Sequence, residues 1–274
     1  MTGSSDVCSS DLYYNPYSKT IYFRDWNNSF VKYSLEGKYL DKIVIPEFSS
    51  SLESPSFAEA FSFLNENRIC AFFSNLNGAE TKRIMIFSET GDIIKLFPNN
   101  RIIKTKRFSF LMNDGIFYRN NDKLYFKETF VDTVYVVSEK ELSPAYVIDQ
   151  SKYNVAYERR YDNIIKFQPL NHIIENNEYI ILHLIINDEH YYTIYDKKKH
   201  ISLSYVAKKG FIDNINNFVP FMLSTVSYDG SFVGIVEAHI LYGELEKIKN
   251  ENRPELAHLF KVKEDDNPIL VIVR

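Results

Sequence analysis

The chain has 274 residues and a formal net charge of −4, with 32 basic against 36 acidic side chains. This balance provides no excess of positive charge to neutralise a nucleic-acid backbone, so we expect no nucleic-acid partner. Two cysteines are too few for a disulfide framework or a four-cysteine zinc site. No run of the sequence reaches the roughly 18 apolar residues of a transmembrane segment.

The first twelve residues, MTGSSDVCSSDL, differ in pattern from the rest of the chain. They contain neither the basic start nor the apolar run of a signal peptide. Cys8 also lacks the small apolar neighbours of a lipoprotein cleavage site. We interpret residues 1–12 as an unstructured or foreign leader, or as the mark of a truncated gene start. Residues 13–274 are then expected to form a single domain.

From residue 13 onward, aromatic and β-branched runs alternate with polar turns about every eight to twelve residues, which is typical of short strands. Aromatic residues make up 15% of the chain, and they favour half-buried sheet surfaces. The first two units of this pattern predict strands at residues 21–25, 30–34, 40–45, 69–73, 83–87 and 93–97. Residues 57–64 are ambiguous between helix and strand, and we interpret the end of that segment as a strand. Cys70 lies within an apolar run and is interpreted as a buried free thiol.

The third unit contains the dipeptide Asp114-Gly115, which predicts a tight hairpin turn. Around and beyond this turn, the pattern predicts strands at residues 108–111, 116–118, 124–126, 131–137 and 145–148. Pro144 stands at the start of the last of these strands, where proline is tolerated. The polar connection that follows contains the pair Arg159-Arg160.

The fourth unit indicates four strands separated by three polar turns, and a fifth unit follows it. Their predicted strands lie at residues 172–174, 179–186, 191–195, 201–206, 210–214, 218–226 and 232–236. Between residues 239 and 262 the apolar spacing changes to that of a helix, and Pro254 suits the first turn of a helix. Residues 269–273, ILVIV, are apolar on both faces and predict a buried inner strand.

Five successive meanders of three or four strands favour a β-propeller over a sandwich. We therefore predict an all-β fold, a propeller of four-stranded antiparallel blades. It has five readable units, a closing C-terminal strand and a short helical insertion near residues 239–262. Closing the blades into a ring would remove the open edge that an exposed strand presents.

Four stretches of the chain resemble a bacterial family of six-bladed β-propellers, related to NHL-repeat propellers and often exported as lipoproteins. These stretches are residues 21–40, 130–149, 210–220 and 264–273, and the motifs DTVY (132–135) and DDNP (265–268) are the most specific parts. The resemblance implies six blades and a periplasmic or cell-surface location. Because such proteins carry a further blade before residue 13, it also implies a truncated chain or a five-unit variant. It implies no particular activity.

No motif of a zinc protease, an α/β-hydrolase or a P-loop enzyme occurs in the sequence. We therefore assign no catalytic, metal-binding or cofactor-binding residue, and we expect no cofactor. His183 and His190 lie on neighbouring predicted strands and are expected to approach across a hairpin. They are interpreted as surface imidazoles in preference to metal ligands, because no cysteine and no obvious carboxylate triad joins them.

Two pairs of residues are candidates for lining a funnel at one end of a propeller, where loops commonly carry binding residues. They are Asp25-Trp26 and Arg159-Arg160, with packing between blades as the alternative for Trp26. Residues 227–232, SYDGSF, are similar to the Asp-box of sialidase propellers but one residue shorter. A tight turn is the simpler interpretation of that segment.

Two functions from different classes remain. The preferred one is a non-enzymatic, exported binding or scaffold propeller whose ligand is a protein, a peptide or a glycan. The alternative is a propeller glycoside hydrolase or polysaccharide lyase. Such an enzyme needs acid and base groups from several blades to converge on the central channel.

Overall fold

The computed structural model describes residues 12–25, 27–46, 58–103, 114–162, 167–186, 189–206, 210–212, 219–227, 229–257 and 259–273. The chain divides into two compact units, Met1–Ile165 and Lys166–Arg274. Three antiparallel sheets belong to the first unit and two belong to the second. In every sheet the strands lie in the order of the sequence, so each sheet is an antiparallel meander.

The first unit holds sheets 1, 2 and 3. Sheet 1 consists of β1 (Leu12–Asn15), β2 (Thr20–Asp25), β3 (Ser29–Ser34) and β4 (Tyr39–Val44). Sheet 2 consists of β5 (Ala58–Asn65), β6 (Arg68–Phe73), β7 (Lys82–Ser88) and β8 (Ile93–Pro98). Sheet 3 consists of β9 (Gly115–Asn120), β10 (Lys123–Glu128), β11 (Thr133–Val137) and β12 (Leu142–Val147). Two short 3-10 helices follow, Ser151–Tyr153 and Tyr157–Tyr161.

The second unit holds sheets 4 and 5. Sheet 4 consists of β13 (Phe167–Glu175), β14 (Tyr179–Ile186), β15 (Glu189–Asp196) and β16 (Ile201–Val206). Sheet 5 consists of β17 (Met222–Val226), β18 (Phe232–Val236) and β19 (Ile269–Val273). Between β18 and β19 lie α1 (Ala238–Lys247) and the 3-10 helices Pro254–Leu256 and Leu259–Lys261. The predicted helical insertion is therefore confirmed, and Pro254 opens the first of these 3-10 helices.

Aromatic side chains fill the spaces between sheets in the first unit. Phe30 and Phe61 meet edge to face between sheets 1 and 2, with ring centroids 4.9 Å apart. Phe72 and Phe126 meet between sheets 2 and 3, with centroids 5.0 Å apart. Rings suit these positions because each buries a large apolar area and because edge-to-face or tilted pairs are favourable.

The described residues thus form an all-β propeller fold of five antiparallel blades, four with four strands and one with three. This agrees with the five units predicted from the sequence. The six blades implied by the family resemblance are not found, because the described residues supply strands for five sheets. The longest described helix has ten residues, so none of the described helices could cross a membrane.

The C-terminal strand was predicted to be a buried inner strand, and this was wrong. Among the described residues β19 pairs with β18 alone and is the last strand of its sheet. Leu270 and Ile272 expose 65% and 59% of their surface. Ile269 and Val271 pack against the core instead, because successive strand residues point to opposite faces.

Gly115, which was predicted to lie in a hairpin turn, belongs to a strand. It is the first residue of β9, and a Cβ atom built there would lie 2.3 Å from the ring of Phe72. Glycine is therefore needed for a close approach between sheets 2 and 3. The predicted strand at residues 108–111 lies outside the described residues. Pro144 lies inside β12, opposite Tyr135, on the outer strand of its sheet where a missing N–H is tolerated.

Candidate functional site

Charged side chains gather at one end of sheets 2 and 3. In an antiparallel meander the start of the first strand and the end of the second lie at the same end of the sheet. The starts of β5 and β9 therefore lie beside the ends of β6 and β10. We call the polar groups at this end the loop-end cluster: Glu59, Ser74, Asn75, Arg83, Asp114, Lys127, Glu128 and Arg160.

A segment that we call the strap, residues 151–161, packs against this cluster. Its second 3-10 helix places Tyr157 and Arg160 on one face, because residues three apart are aligned in a 3-10 helix. Both are buried, as is Tyr161, whereas the Glu158 and Arg159 side chains face solvent. The sequence suggests Arg159-Arg160 as a pair that lines a funnel. The structure separates them, since Arg160 is 2% exposed.

Arg160 is anchored by a carboxylate below the strap. Its Nη2 donates a hydrogen bond to Oδ2 of Asp114, and both side chains are completely buried. Ser74 Oγ donates to the same oxygen over 2.5 Å. Glu128 Oε1 lies 3.7 Å from Arg160 Nη1 and adds charge without a hydrogen bond. Removing one member of such a pair leaves a buried charge, which is strongly unfavourable.

Aromatic rings enclose the Arg160 guanidinium. Its carbon lies 4.9 Å from the ring centroid of Tyr157, 5.6 Å from that of Phe130 and 5.7 Å from that of Tyr161. Electron-rich ring faces attract a guanidinium at these distances, particularly away from water. Burial by itself would lower the pKa of Arg160. Asp114 and the tyrosine side chains raise this pKa by more than burial lowers it, so Arg160 remains a cation.

Several buried polar atoms of the cluster have no hydrogen-bond partner among the described residues. They are Oε2 of Glu59, Nη2 of Arg83, Oδ1 of Asp114, and Nε and Nη1 of Arg160. Unpaired buried groups of this kind are rare in native proteins. The site therefore has hydrogen-bonding capacity on both the carboxylate side and the guanidinium side that its own side chains leave unused.

Two ionisable groups of the cluster have strongly altered proton affinities. Burial, reinforced by the Asp114 carboxylate, raises the pKa of Glu59 to about 7. The backbone N–H of Asp114 donates to Glu59 Oε1 over 2.8 Å and opposes this shift. Burial lowers the pKa of Lys127 to about 8, although Glu128 and Asp132 favour its charged form. Ionisable groups with perturbed pKa values mark a candidate site but also occur in structural networks.

A second polar group lies on one face of sheet 4. The expected approach of His183 and His190 is confirmed, since His183 Nε2 and His190 Nδ1 are 2.8 Å apart. His172 pairs with His183 across β13 and β14, and its Nε2 lies 2.9 Å from the Ser224 carbonyl oxygen. The His183 ring also stacks on Tyr192 with centroids 4.6 Å apart. We call His172, His183, His190 and Tyr192 the histidine row.

Burial disfavours the charged forms of two imidazoles of the histidine row, His183 and His172. Burial, together with His190 and His172, lowers the pKa of His183 to about 4. Burial also lowers the pKa of His172. A hydrogen bond between two imidazoles needs one protonated and one bare nitrogen, which both rings provide when neutral. No group of three or more histidine, cysteine, aspartate or glutamate side chains that could hold a metal occurs among the described residues.

The remaining residues singled out from the sequence belong to neither group. Asp25 accepts a hydrogen bond from Lys42 Nζ over 3.0 Å, while Trp26 lies outside the described residues. Asp229 accepts hydrogen bonds from Ser227 Oγ and the Ser231 N–H, so this part of the SYDGSF segment forms a turn. Tyr228 in the same segment is not described. Cys70 is buried as predicted, and burial raises the pKa of its thiol.

The carboxylates of the loop-end cluster were not among the site residues suggested by the sequence pattern. The pattern predicts Asp114 in a turn and Glu59 in a segment open to helix or strand, and it gives Glu128 no particular role. One signal was available, because β10 carries Lys127 and Glu128 directly after the apolar run at residues 124–126. Adjacent charges that extend an apolar strand are seldom buried unless they are paired. The distant partners Arg83 and Arg160 are identified by the fold alone.

Comparison with one solved structure supports the fold. The chain is similar to a Bacteroides fragilis protein described as a "Putative exported protein", with 15% identity and a TM-score of 0.66. The alignment covers 97% of this chain and 76% of that one. The β-propeller domain of Cps50 (Swd1) from Myceliophteria thermophila matches with 9% identity and a TM-score of 0.45, over 79% of this chain and 62% of that one.

A further match is BamB from Moraxella catarrhalis, at 8% identity and a TM-score of 0.35, over 81% of this chain and 56% of that chain. No curated protein matches the sequence. A family model described as "Domain of unknown function (DUF4934)" matches residues 7–274. Because this match spans nearly the whole sequence, the chain belongs to the DUF4934 family.

Proposed function

We propose that this protein is a non-enzymatic, exported binding propeller that presents the loop end of its first unit to a protein, peptide or glycan. The observation that carries this proposal is the internal pairing of the loop-end cluster. Arg160 is paired with Asp114, and Arg83 Nε donates to Glu128 over 3.0 Å, beneath the surface. These pairs fix the loops above them, and rigid loops are favourable for binding because little conformational entropy is lost.

Exposed charges of both signs lie above these buried pairs. We call Arg101, Asp132, Glu158 and Arg159 the loop-end surface, and all four are exposed. Arg101 lies over the ring of Tyr157, with 5.2 Å between the guanidinium carbon and the ring centroid. The main chain of Asp132 accepts a hydrogen bond from the Ile148 N–H over 2.8 Å. Exposed polar groups on well-anchored loops are suited to recognition.

The same cluster gives little support to the hydrolase alternative. Glu59 has a pKa near neutrality and would be the natural general acid. However, its unpaired oxygen is shielded from solvent, and its neighbour Asp114 is 0% exposed. A glycosidase needs two carboxyl groups that both reach the substrate. The exported location is part of the proposal and is supported by the description of the Bacteroides fragilis protein.

The test is a binding screen combined with an activity assay. Purified protein is applied to arrays of bacterial polysaccharide fragments and of peptides, and hits are titrated by biolayer interferometry. Each glycan is also incubated with the protein and analysed for new reducing ends and for unsaturated sugars. We expect saturable binding without product, and at least about tenfold weaker binding by R101A/E158A/R159A. The matched control is E244A/K247A, which removes an exposed ion pair of α1.

Formation of reducing ends or unsaturated sugars by the wild type, lost in the loop-end variant, would establish the enzyme in place of the binding protein. Absence of binding to every glycan and peptide would also contradict the proposal. Equal loss of binding in the α1 control would move the binding surface away from the first unit.

A further inference from the structure

The pocket around Arg160 has more hydrogen-bonding capacity than Arg160 uses. Arg160 makes a single side-chain hydrogen bond, from Nη2 to Asp114, among the described residues. Its Nε and Nη1 groups donate to no described residue. On the facing side, Oδ1 of Asp114 and Oε2 of Glu59 also accept no hydrogen bond there. The fit between this guanidinium and its pocket is therefore incomplete.

Besides the Arg160 pair, the strap is held by side-chain hydrogen bonds and by the packing of Val155 and Tyr157 against Phe130 and Val131. Tyr161 Oη donates to the Asn75 carbonyl oxygen over 2.6 Å, and Asn75 Nδ2 donates to Tyr157 Oη over 3.3 Å. Neither 3-10 helix of the strap has a side-chain cap at its N-terminus. Ser151 adopts a positive φ of 51°, which is unfavourable for serine. The strap thus resembles a short peptide that docks one arginine and two tyrosines.

We propose that the pocket beneath the strap is a guanidinium-binding site, that Arg160 is its resident occupant, and that an arginine side chain of a peptide partner can take its place. This inference rests on the proposed function, because it names a partner class for the same end of the first unit. The partner is an arginine-containing peptide, since the site combines buried carboxylates with surrounding ring faces.

The chemistry of the pocket favours guanidinium over other cations. Asp114 offers two oxygens, of which one is unused, and a guanidinium can engage both at once. The Phe130 ring forms a flat wall against which a planar cation packs well. An ammonium group is compact and strongly hydrated, so it would match neither the paired oxygens nor the ring. Glu128 is already compensated by Arg83, which leaves Asp114 as the principal anion for the incoming group.

Arg160 and an external arginine would compete for this pocket. Because the strap is part of the same chain, Arg160 is present at a high effective concentration. A short peptide should therefore bind the wild type weakly and bind a variant without Arg160 more tightly. For Ac-Gly-Arg-Gly-NH2 we expect at least about tenfold tighter binding to R160A than to the wild type.

The experiment is chemical rescue of Arg160→Ala. Thermal unfolding of R160A is followed by circular dichroism in increasing ethylguanidinium chloride, with ethylammonium chloride at equal ionic strength as the comparison. We expect saturable stabilisation by ethylguanidinium, with Tm rising about 3–5 °C at ten times the dissociation constant. R159A is the matched control, because it removes the neighbouring exposed arginine, and it should show no such rise. D114N/R160A should lose the effect.

A folded R160A that ethylguanidinium does not stabilise, or stabilises no more than ethylammonium, would overturn the proposal. Retention of the full effect in D114N/R160A would also overturn it. If R160A is unfolded alone, ethylguanidinium must restore its β spectrum, and failure to do so counts against the pocket. The result is separate from the array screen. Glycan or peptide binding without guanidinium rescue removes this inference alone, whereas rescue without any array binding removes the proposed function and the peptide partner with it.

Discussion

The two units bury polar groups in different ways. In the first unit the loop-end cluster pairs opposite charges, with Arg160 against Asp114 and Arg83 against Glu128. In the second unit the histidine row consists of imidazoles, of which burial keeps His183 neutral. The stability of a buried paired charge depends on the presence of its partner, whereas the stability of a buried neutral imidazole depends on pH. The comparison shows that similar burial can make one region sensitive to mutation and another sensitive to acid.

The largest expected effect follows from removing Arg160. R160M should lower the free energy of unfolding by about 3–5 kcal/mol, because it leaves Asp114 buried without its cation. R159M, one residue away on the exposed face of the strap, should change it by less than about 0.5 kcal/mol. Urea denaturation followed by circular dichroism measures both. Equal effects of the two variants would mean that the buried pair contributes nothing specific.

Glu59 should make the protein less stable as pH rises through the neutral range. Its folded pKa of about 7 lies above its ordinary value of 4.5, so the folded state binds the proton more tightly. This contribution to stability is complete below pH 4.5 and is lost as pH rises to about 7. We expect a loss of about 2 kcal/mol over that window, since Glu59 is half-buried.

The variant E59Q should remove this part of the pH dependence, because an amide of the same shape does not titrate. E158Q on the exposed surface of the strap is the matched control and should retain it. Urea titrations at intervals from pH 4.5 to pH 8 compare the three proteins. A wild-type slope that persists in E59Q would assign the titration to another group.

His183 should act in the opposite direction. Its folded pKa of about 4 lies below its ordinary value of 6.5, so the unfolded state binds the proton more tightly. The stability that it contributes is complete above pH 6.5 and is lost as pH falls to about 4. We expect this loss to be about 2 kcal/mol, because the side chain is largely buried among His172, His190 and Tyr192.

The variant H183Q should show a smaller loss of stability between pH 6.5 and pH 4 than the wild type does. H239Q, at an exposed position of α1, is its control and should behave like the wild type. Because Glu59 and His183 have opposite signs over overlapping windows, the wild-type profile is shallow and single variants are needed. If H183Q loses as much stability between pH 6.5 and pH 4 as the wild type does, His183 is not the group that titrates.

The last prediction compares single hydrogen bonds in the two units and includes the smallest expected effect. S74A removes a donor to the buried Asp114 carboxylate, and we expect a loss of about 1.5–3 kcal/mol because the acceptor is charged. Y192F removes a contact of 3.6 Å from Tyr192 Oη to Met222 Sδ, and we expect a loss of about 0.5 kcal/mol. Thermal denaturation at pH 7.5 ranks the two. A larger effect of Y192F would reverse the comparison between the units.

The regular strands of this protein were predictable because side-chain alternation and turn residues are local signals. Residues 83–87, for example, were predicted as a strand and lie within Lys82–Ser88. The strand at residues 269–273 shows the limit of that signal. An all-apolar run indicates burial on both faces, but Leu270 and Ile272 remain exposed on one face of β19, which is the last strand of its sheet among the described residues.

The loop-end cluster was not predictable in the same way. Its main contact joins Arg160 to Asp114 across 46 positions of the chain. Local spacing carries no information about such a contact, and the pair Arg159-Arg160 gave no sign of which arginine would be buried. The His183–His190 contact was predictable, because seven positions separate the two residues across one hairpin. The two contacts differ in predictability because the partners are far apart along the sequence in the first unit and close together in the second.

The most direct test of the account is a double-mutant cycle on Arg160 and Asp114. The free energy of unfolding is measured for the wild type, R160M, D114N and R160M/D114N by urea denaturation at pH 7.5. We expect a coupling energy of about 2–3 kcal/mol between the two residues. The double variant should lose that much less free energy of unfolding than the sum of the losses in the two single variants. A coupling energy near zero would contradict the central claim that this buried pair organises the loop end of the first unit.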